Sequence, residues 1–189
     1  MAANVDVHMI CEPIGAFPLR TLPPGYHFRA YQPGDEATWT MIQRAAEPFF
    51  AIQDTLFRQE YGDDEAILSE RMIFVESADG SPAGTITAWW QDDWHGRGEW
   101  GQIHWVAVHP DHQRRGISGA MMTEAMKLMQ RWHKRAMLGT ATGRVWAIKV
   151  YLDFGFRPDP RELTNPKILA GWRSVDMQIH HAGLATIRE

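Results

Sequence analysis

The chain holds one cysteine, Cys11, so no disulfide can form within it and its stability has to come from a packed core. No apolar run reaches the roughly 18 residues that a membrane span needs. The first twenty residues have no basic stretch ahead of an apolar one, and Asp6, His8 and Glu12 interrupt them. That argues against a secretory signal, and the expectation is a cytoplasmic protein with no membrane partner. Positive charge is not in excess: the net charge is −4, and Lys and Arg form no block. A protein whose main task is gripping nucleic acid would show the opposite. Repeats and low-complexity tracts are missing as well. Tryptophan, by contrast, is abundant, with nine in 189 residues, five of them from Trp89 to Trp105.

Periodicity and turn residues divide the chain into elements. Residues 1–24 carry Pro13, Pro18, Pro23 and Pro24 without clean alternation, and they read as an N-terminal arm. Residues 25–189 then form a single domain, a length sufficient for a real core. Strands are expected at 26–32, 71–77, 83–91, 99–110, 135–142 and 172–181, the last closing the sheet. Helices are expected across 33–48, 49–62, 63–71, 114–134 and 143–156. In 49–62, Phe49, Ile52 or Gln53, Leu56 and Phe57 lie near one face. In 114–134, Met121, Met122, Ala125, Leu128, Met129 and Trp132 form the apolar side. Early helices followed by strands with interposed helices make a mixed α/β class.

The junction near residue 110 carries chemistry. A strand, a long helix and a strand across 99–142 form a β-α-β unit, and such units bind ligands beyond the carboxyl ends of their strands. At the helix N-terminus the first N–H groups have no intrahelical partner and the macrodipole is positive. A phosphate suits that position. Gly116 removes a side chain where an anion must come close, and Arg114 and Arg115 add charge. Neither a Gly-Lys-Ser/Thr ending nor a two-step glycine fingerprint is present, so a P-loop and a dinucleotide site are both excluded.

The string "VHPDHQRRGISGA" (108–120) resembles the acetyl-CoA signature of the GNAT superfamily of N-acetyltransferases, Gln/Arg-x-x-Gly-x-Gly/Ala after a strand ending in Val-x-Pro. Gln113 and Gly116 match, and Ser118 replaces the usual glycine or alanine. About thirty residues on, "AIKVYLDFGF" (147–156) resembles the second signature, Ala-x-x-x-Tyr-x-x-x-Gly-Phe. The resemblance covers 26–180. It implies a mixed, largely antiparallel twisted sheet with a central β-α-β unit that binds acetyl-CoA. It also implies acetyl transfer to a primary amine by direct attack in a ternary complex.

By the same resemblance, backbone N–H groups of Arg114, Arg115, Gly116, Ile117, Ser118 and Gly119 cradle the CoA pyrophosphate. The pantetheine pairs along Val106 and Val108, with the Val106 N–H at the oxyanion. Tyr151 protonates the leaving thiolate. Arg144 stands where asparagine often touches the pantetheine, a departure from the pattern. "IHWVAVH" is similar to the arylalkylamine N-acetyltransferases, in which two alternate histidines act through water. Here Gln102 holds the first place and His104 the second.

A base is needed because an alkyl amine is protonated near neutral pH. Strict alternation puts Gln102, His104, Val106 and Val108 on one face, which makes His104 the candidate, with Glu99 as an alternative or helper. Phe49, Phe50, Trp89, Trp90, Trp94 and Trp100, with Asp92, Asp93 and Glu99, could wall a site for a hydrophobic amine, or the tryptophans could simply fill the core. The acceptor is a small-molecule or peptide amine, and a homodimer is possible. Three rival readings stand beside this one. A GNAT fold can bind acyl-CoA as a sensor without catalysis. His95, His104, His109 and His112 could hold a metal, although they lack paired spacing, and the expectation is no metal. A helix-turn-helix around 114–154 fails because a strand separates the helices.

Overall fold

The computed structural model describes residues 4–188. Seven strands follow the order β2-β3-β4-β5-β6-β1-β7, and six helices accompany them, a mixed α/β architecture. The chain divides into two compact units. One comprises residues 19–89 and 103–128, and the other residues 4–18, 90–102 and 129–188.

The first unit holds β2 (Tyr26–Ala30), α1 (Glu36–Ala46), α2 (Leu56–Tyr61), α3 (Glu65–Arg71) and β3 (Met72–Ser77). It also holds nearly all of β4 (Pro82–Gln91), the later part of β5 (Trp100–Val108) and most of α4 (Ile117–Trp132). Strands β2 and β3 pair antiparallel, as do β3 and β4. The Asp64 side chain caps α3 by accepting from the N–H groups of Ala66 and Ile67, which satisfies two donors the helix cannot. Tyr31, Trp39, Ile42, Phe57, Tyr61, Leu68, Met72 and Phe74 share one buried cluster. Aromatic contacts run through it, with Trp39 edge-on to Phe57, Tyr61 and Trp105.

The second unit holds β1 (Asp6–Cys11), β6 (Ala136–Ala141), α5 (Val145–Asp153), β7 (Arg157–Pro158) and α6 (Pro166–Ile179). Strand β1 pairs antiparallel with both β6 and β7, and β5 pairs parallel with β6 at Gly101 and Gln102. Trp100 is fully buried here, with the Arg97 and Arg135 guanidinium groups 4.4 Å from its ring. Arg97 is itself paired with buried Asp159 at 2.9 Å.

Four expectations need correction. Residues 6–11, expected within an arm, form a strand, because Val7, Met9 and Cys11 alternate inward against His8 and Ile10. Of residues 172–181, expected as a strand, 172–179 belong to α6. Trp172, Val175 and Asp176 are buried at helical spacing, Asn165 caps the first turn, and Pro166 fits its start. The expected helix over 49–62 shrinks to 56–61. Glu47, before Pro48, is extended, and Phe49 and Phe50 lie exposed in the connection. Trp132, expected on the apolar side of α4, is 37% exposed. Among the described residues no helix is long and apolar enough to cross a membrane.

Candidate active site

In the first unit, β5 ends in a turn that delivers the chain to α4. Pro110–His112 form one 3-10 turn, and the Gln113 side-chain amide donates back to the Val108 carbonyl at 3.0 Å. Arg115 donates to the Asp111 carbonyl at 3.1 Å, so one of the two arginines braces the loop. Arg114 and Gly116 both have positive φ, 60° and 84°. A left-handed arginine is costly, and such strain collects where a loop has a shape to hold. A side chain at 116 would meet nothing within 4 Å. Glycine is needed there for its backbone angle, and the space outside it is open.

Ala120 is the first residue whose N–H bonds back into the helix, to Gly116 at 3.3 Å. The N–H groups ahead of it, on Ile117, Ser118 and Gly119, make no bond within α4. The donors, the open glycine and the arginines fit a phosphate group. A further residue, not anticipated from the sequence, stands over this turn: a Cβ at Gly119 would lie 2.7 Å from Arg20 Cδ. The Arg20 N–H is held by Thr123 Oγ1 at 3.0 Å. Arg20 lies far away in sequence, so no local pattern could have announced it.

Strand β5 departs from strict alternation. Trp105 has a φ of 49°, and its carbonyl accepts from the buried Gln43 side chain at 2.9 Å. The irregularity puts two successive side chains against the same cluster, since His104 packs on Tyr61 and Trp105 packs on Trp39 and Phe50. Ala107 belongs to that cluster too. Val106 and Val108, alternating with Trp105 and Ala107, therefore face away from His104. The expectation that Gln102, His104, Val106 and Val108 share one face is overturned, because a positive φ breaks the two-residue period. Gln102 accepts from the Gln91 side chain.

His104 Nε2 lies 2.9 Å from Glu60 Oε2. Glu60, on α2, was not foreseen, because its distance in sequence from His104 hides the pairing. The bond from His104 is the main cause holding its carboxyl below the usual carboxylate range, with help from Trp105 and against burial.

The second unit places the remaining candidates. Tyr151 is 8% exposed, near Phe156, and its hydroxyl is pushed up to about 12 by burial, with Arg144 pulling the other way. Arg144 precedes the first residue of α5. Gly155, with a φ of 91°, turns the chain after the helix so that Phe156 is fully buried. Glu99 bonds His133 Nδ1 at 2.9 Å, and that histidine side chain is 4% exposed. Trp94 and Trp100 belong to a buried cluster with Met137 and so fill core. Among the described residues no group of three or more His, Cys, Asp or Glu could hold a metal ion. His112 bonds the Tyr26 hydroxyl at 3.0 Å.

A model of the Acetyltransferase (GNAT) family matches residues 38–156, well over half the chain and inclusive of both signatures. The chain belongs to the GNAT family. Solved structures with the same fold include a GCN5-related N-acetyltransferase from Sphaerobacter thermophilus, 22% identical with a TM-score of 0.62 over 84% of this chain and 50% of that one. A GNAT acetyltransferase from Colwellia psychrerythraea is 13% identical, with a TM-score of 0.61 over 82% and 52%. A GCN5-related N-acetyltransferase from Kribbella flavida is 16% identical, with a TM-score of 0.55 over 82% and 55%. This GNAT chain spans about half the length of these relatives, and at such identities the likeness is one of fold. No curated protein matches it.

Proposed function

We propose that this GNAT chain is an acetyl-CoA-dependent N-acetyltransferase acting on a primary amine within a ternary complex. The observation that carries the reading is the turn from β5 into α4, where two arginines, an open positive-φ glycine and N–H groups with no bond within α4 follow one another in the family's signature. Bound acetyl-CoA supplies an activated acetyl thioester. The N–H groups of Arg114 to Gly119 hold its pyrophosphate, and the Arg114 and Arg115 side chains add positive potential. Backbone groups of Val106 and Val108 pair with the pantetheine, and the Val106 N–H donates to the oxygen that gains charge.

His104 takes the proton from the attacking amine. Glu99 is the alternative base, but its carboxylate is engaged by His133. The Tyr151 hydroxyl, protonated throughout the neutral range, supplies a proton for the departing sulfur, and Arg144 favours the phenolate left behind. The acceptor is a hydrophobic or aromatic amine. Phe50 and Trp105 offer an aromatic surface, which suits a cation on an apolar body.

Thermal unfolding with and without acetyl-CoA tests the reading. Ligand at about 100 times its dissociation constant adds roughly 2.7 kcal/mol, or about 5–10 °C for a domain of this size. A shift of that order, followed by thiol release when 2-phenylethylamine is added, supports it. No shift sinks it.

A further inference from the structure

We propose that Glu60 is a positioning residue for His104: from α2 it fixes the imidazole so that one ring nitrogen is held ready for the amine's proton. The inference rests on the acetyltransferase reading above and assigns a role that the family's signatures do not contain, since Glu60 lies outside both.

The geometry is specific. Glu60 Oε2 and His104 Nε2 are 2.9 Å apart, with the side chains only 31% and 16% exposed. Helix α2 is short, but Phe57 and Tyr61 anchor it on either side of Glu60 within the buried cluster. The Tyr61 hydroxyl is tied to Thr87 Oγ1 at 3.0 Å, and its ring packs against the imidazole with centroids 5.4 Å apart. From the strand side, the positive φ at Trp105, with Gln43 on the Trp105 carbonyl, fixes the backbone that carries His104. Both partners are therefore held by the core.

The chemistry follows from proton counting. An ionised carboxylate only accepts, so in the neutral ring Nε2 carries the hydrogen and Nδ1 carries the lone pair. As the nitrogen–carbon bond forms and the carbon–sulfur bond breaks, the amine's proton passes to Nδ1, directly or through water. The sulfur's proton comes from Tyr151. The imidazolium then stands beside a carboxylate that stabilises it. Two titratable groups of α2 face the ring, Glu60 and Tyr61. Burial pushes the Tyr61 hydroxyl far above its usual range, so it stays neutral and Glu60 supplies the charge.

The test uses the whole chain with acetyl-CoA and 2-phenylethylamine, comparing wild type, Glu60→Gln, His104→Gln and the double variant from pH 5.5 to 9. Glu60→Asp keeps the charge should Glu60→Gln fold poorly. The expected result for Glu60→Gln is a kcat about tenfold or more lower, within the range a positioned base contributes. The KM for acetyl-CoA stays unchanged, and no further loss appears in the His104→Gln background. Carboxyl NMR titration of the unliganded chain should show the Glu60 midpoint rising in His104→Gln. The same fold-loss with or without His104, or an unmoved Glu60 midpoint in His104→Gln, overturns the role of Glu60 while leaving the acetyltransferase reading intact. Absence of turnover by the wild type overturns both.

Discussion

The Gln43 side-chain amide donates to the Trp105 carbonyl across 2.9 Å, at the strand residue whose positive φ turns His104 and Trp105 onto one cluster. A buried side chain of α1 thus donates to a backbone oxygen at the irregular point of the strand. Gln43→Leu removes the donor and adds none. An unsatisfied buried carbonyl costs about 1–3 kcal/mol, and each kcal/mol lowers the melting temperature by roughly 2–4 °C at this size. Gln43→Glu should fail to restore stability at neutral pH, since a carboxylate cannot donate. Thermal unfolding of the two variants checks this, and an unchanged melting temperature for both means that the strand holds its own bend.

Tyr151→Phe keeps the ring that packs near Phe156 and removes the hydroxyl. Turnover should fall by about tenfold or more, with acetyl-CoA binding within about twofold of wild type. A loss made only in the transition state lowers kcat and kcat/KM together. Equal losses in binding and turnover would assign Tyr151 to packing.

Much of the first unit was legible in the sequence. The hairpin strands, the long strand into Pro110 and the α4 periodicity all rest on local patterns, and so do both signatures. Long-range determinants were not. Strand β1 is short and precedes a proline-rich stretch, so the alternation of Val7, Met9 and Cys11 was outweighed by the breakers around it. In α6, Val175, Met177 and Ile179 alternate as a strand would, but Met177 is exposed, and burial of Trp172, Val175 and Asp176 decides for the helix. The face of β5 was misread because one positive φ shifts every later side chain, and a tryptophan gives no hint of that angle. Arg20 over Gly119 and Glu60 on His104 are meetings of segments far apart in the chain.

Gly116 separates backbone need from ligand need. Its φ of 84° disfavours any side chain, while the space beside it is open. Gly116→Ala should cost about 1–2 kcal/mol of stability from the left-handed angle alone. Gly116→Glu should cost similarly, yet it alone should abolish the thermal shift with acetyl-CoA, because it puts a negative charge at the anion cradle. Calorimetric binding of acetyl-CoA to both variants checks the difference. Normal binding by Gly116→Glu would remove the pyrophosphate from this turn.

The C-terminal end offers a prediction in pH. Arg188 grips the buried Asp176 of α6 with two hydrogen bonds, 2.6 and 2.7 Å, and also reaches the His181 carbonyl. The guanidinium holds the Asp176 carboxyl below its ordinary 3.8. A depressed folded-state value means that the ionised form is favoured by folding. The contribution is present in full above the unfolded value and is lost as pH falls through the folded one. Asp176→Asn should therefore melt below wild type at pH 7. The gap should narrow as pH drops under 3.8 and close once the wild-type carboxyl is protonated. Arg188→Ala should show the same closing gap, because either change removes the same pair. Parallel melting curves at pH 7, 4, 3 and about 2 decide it: a gap that stays constant across that range would mean that Asp176 contributes through packing and that its charge carries no weight.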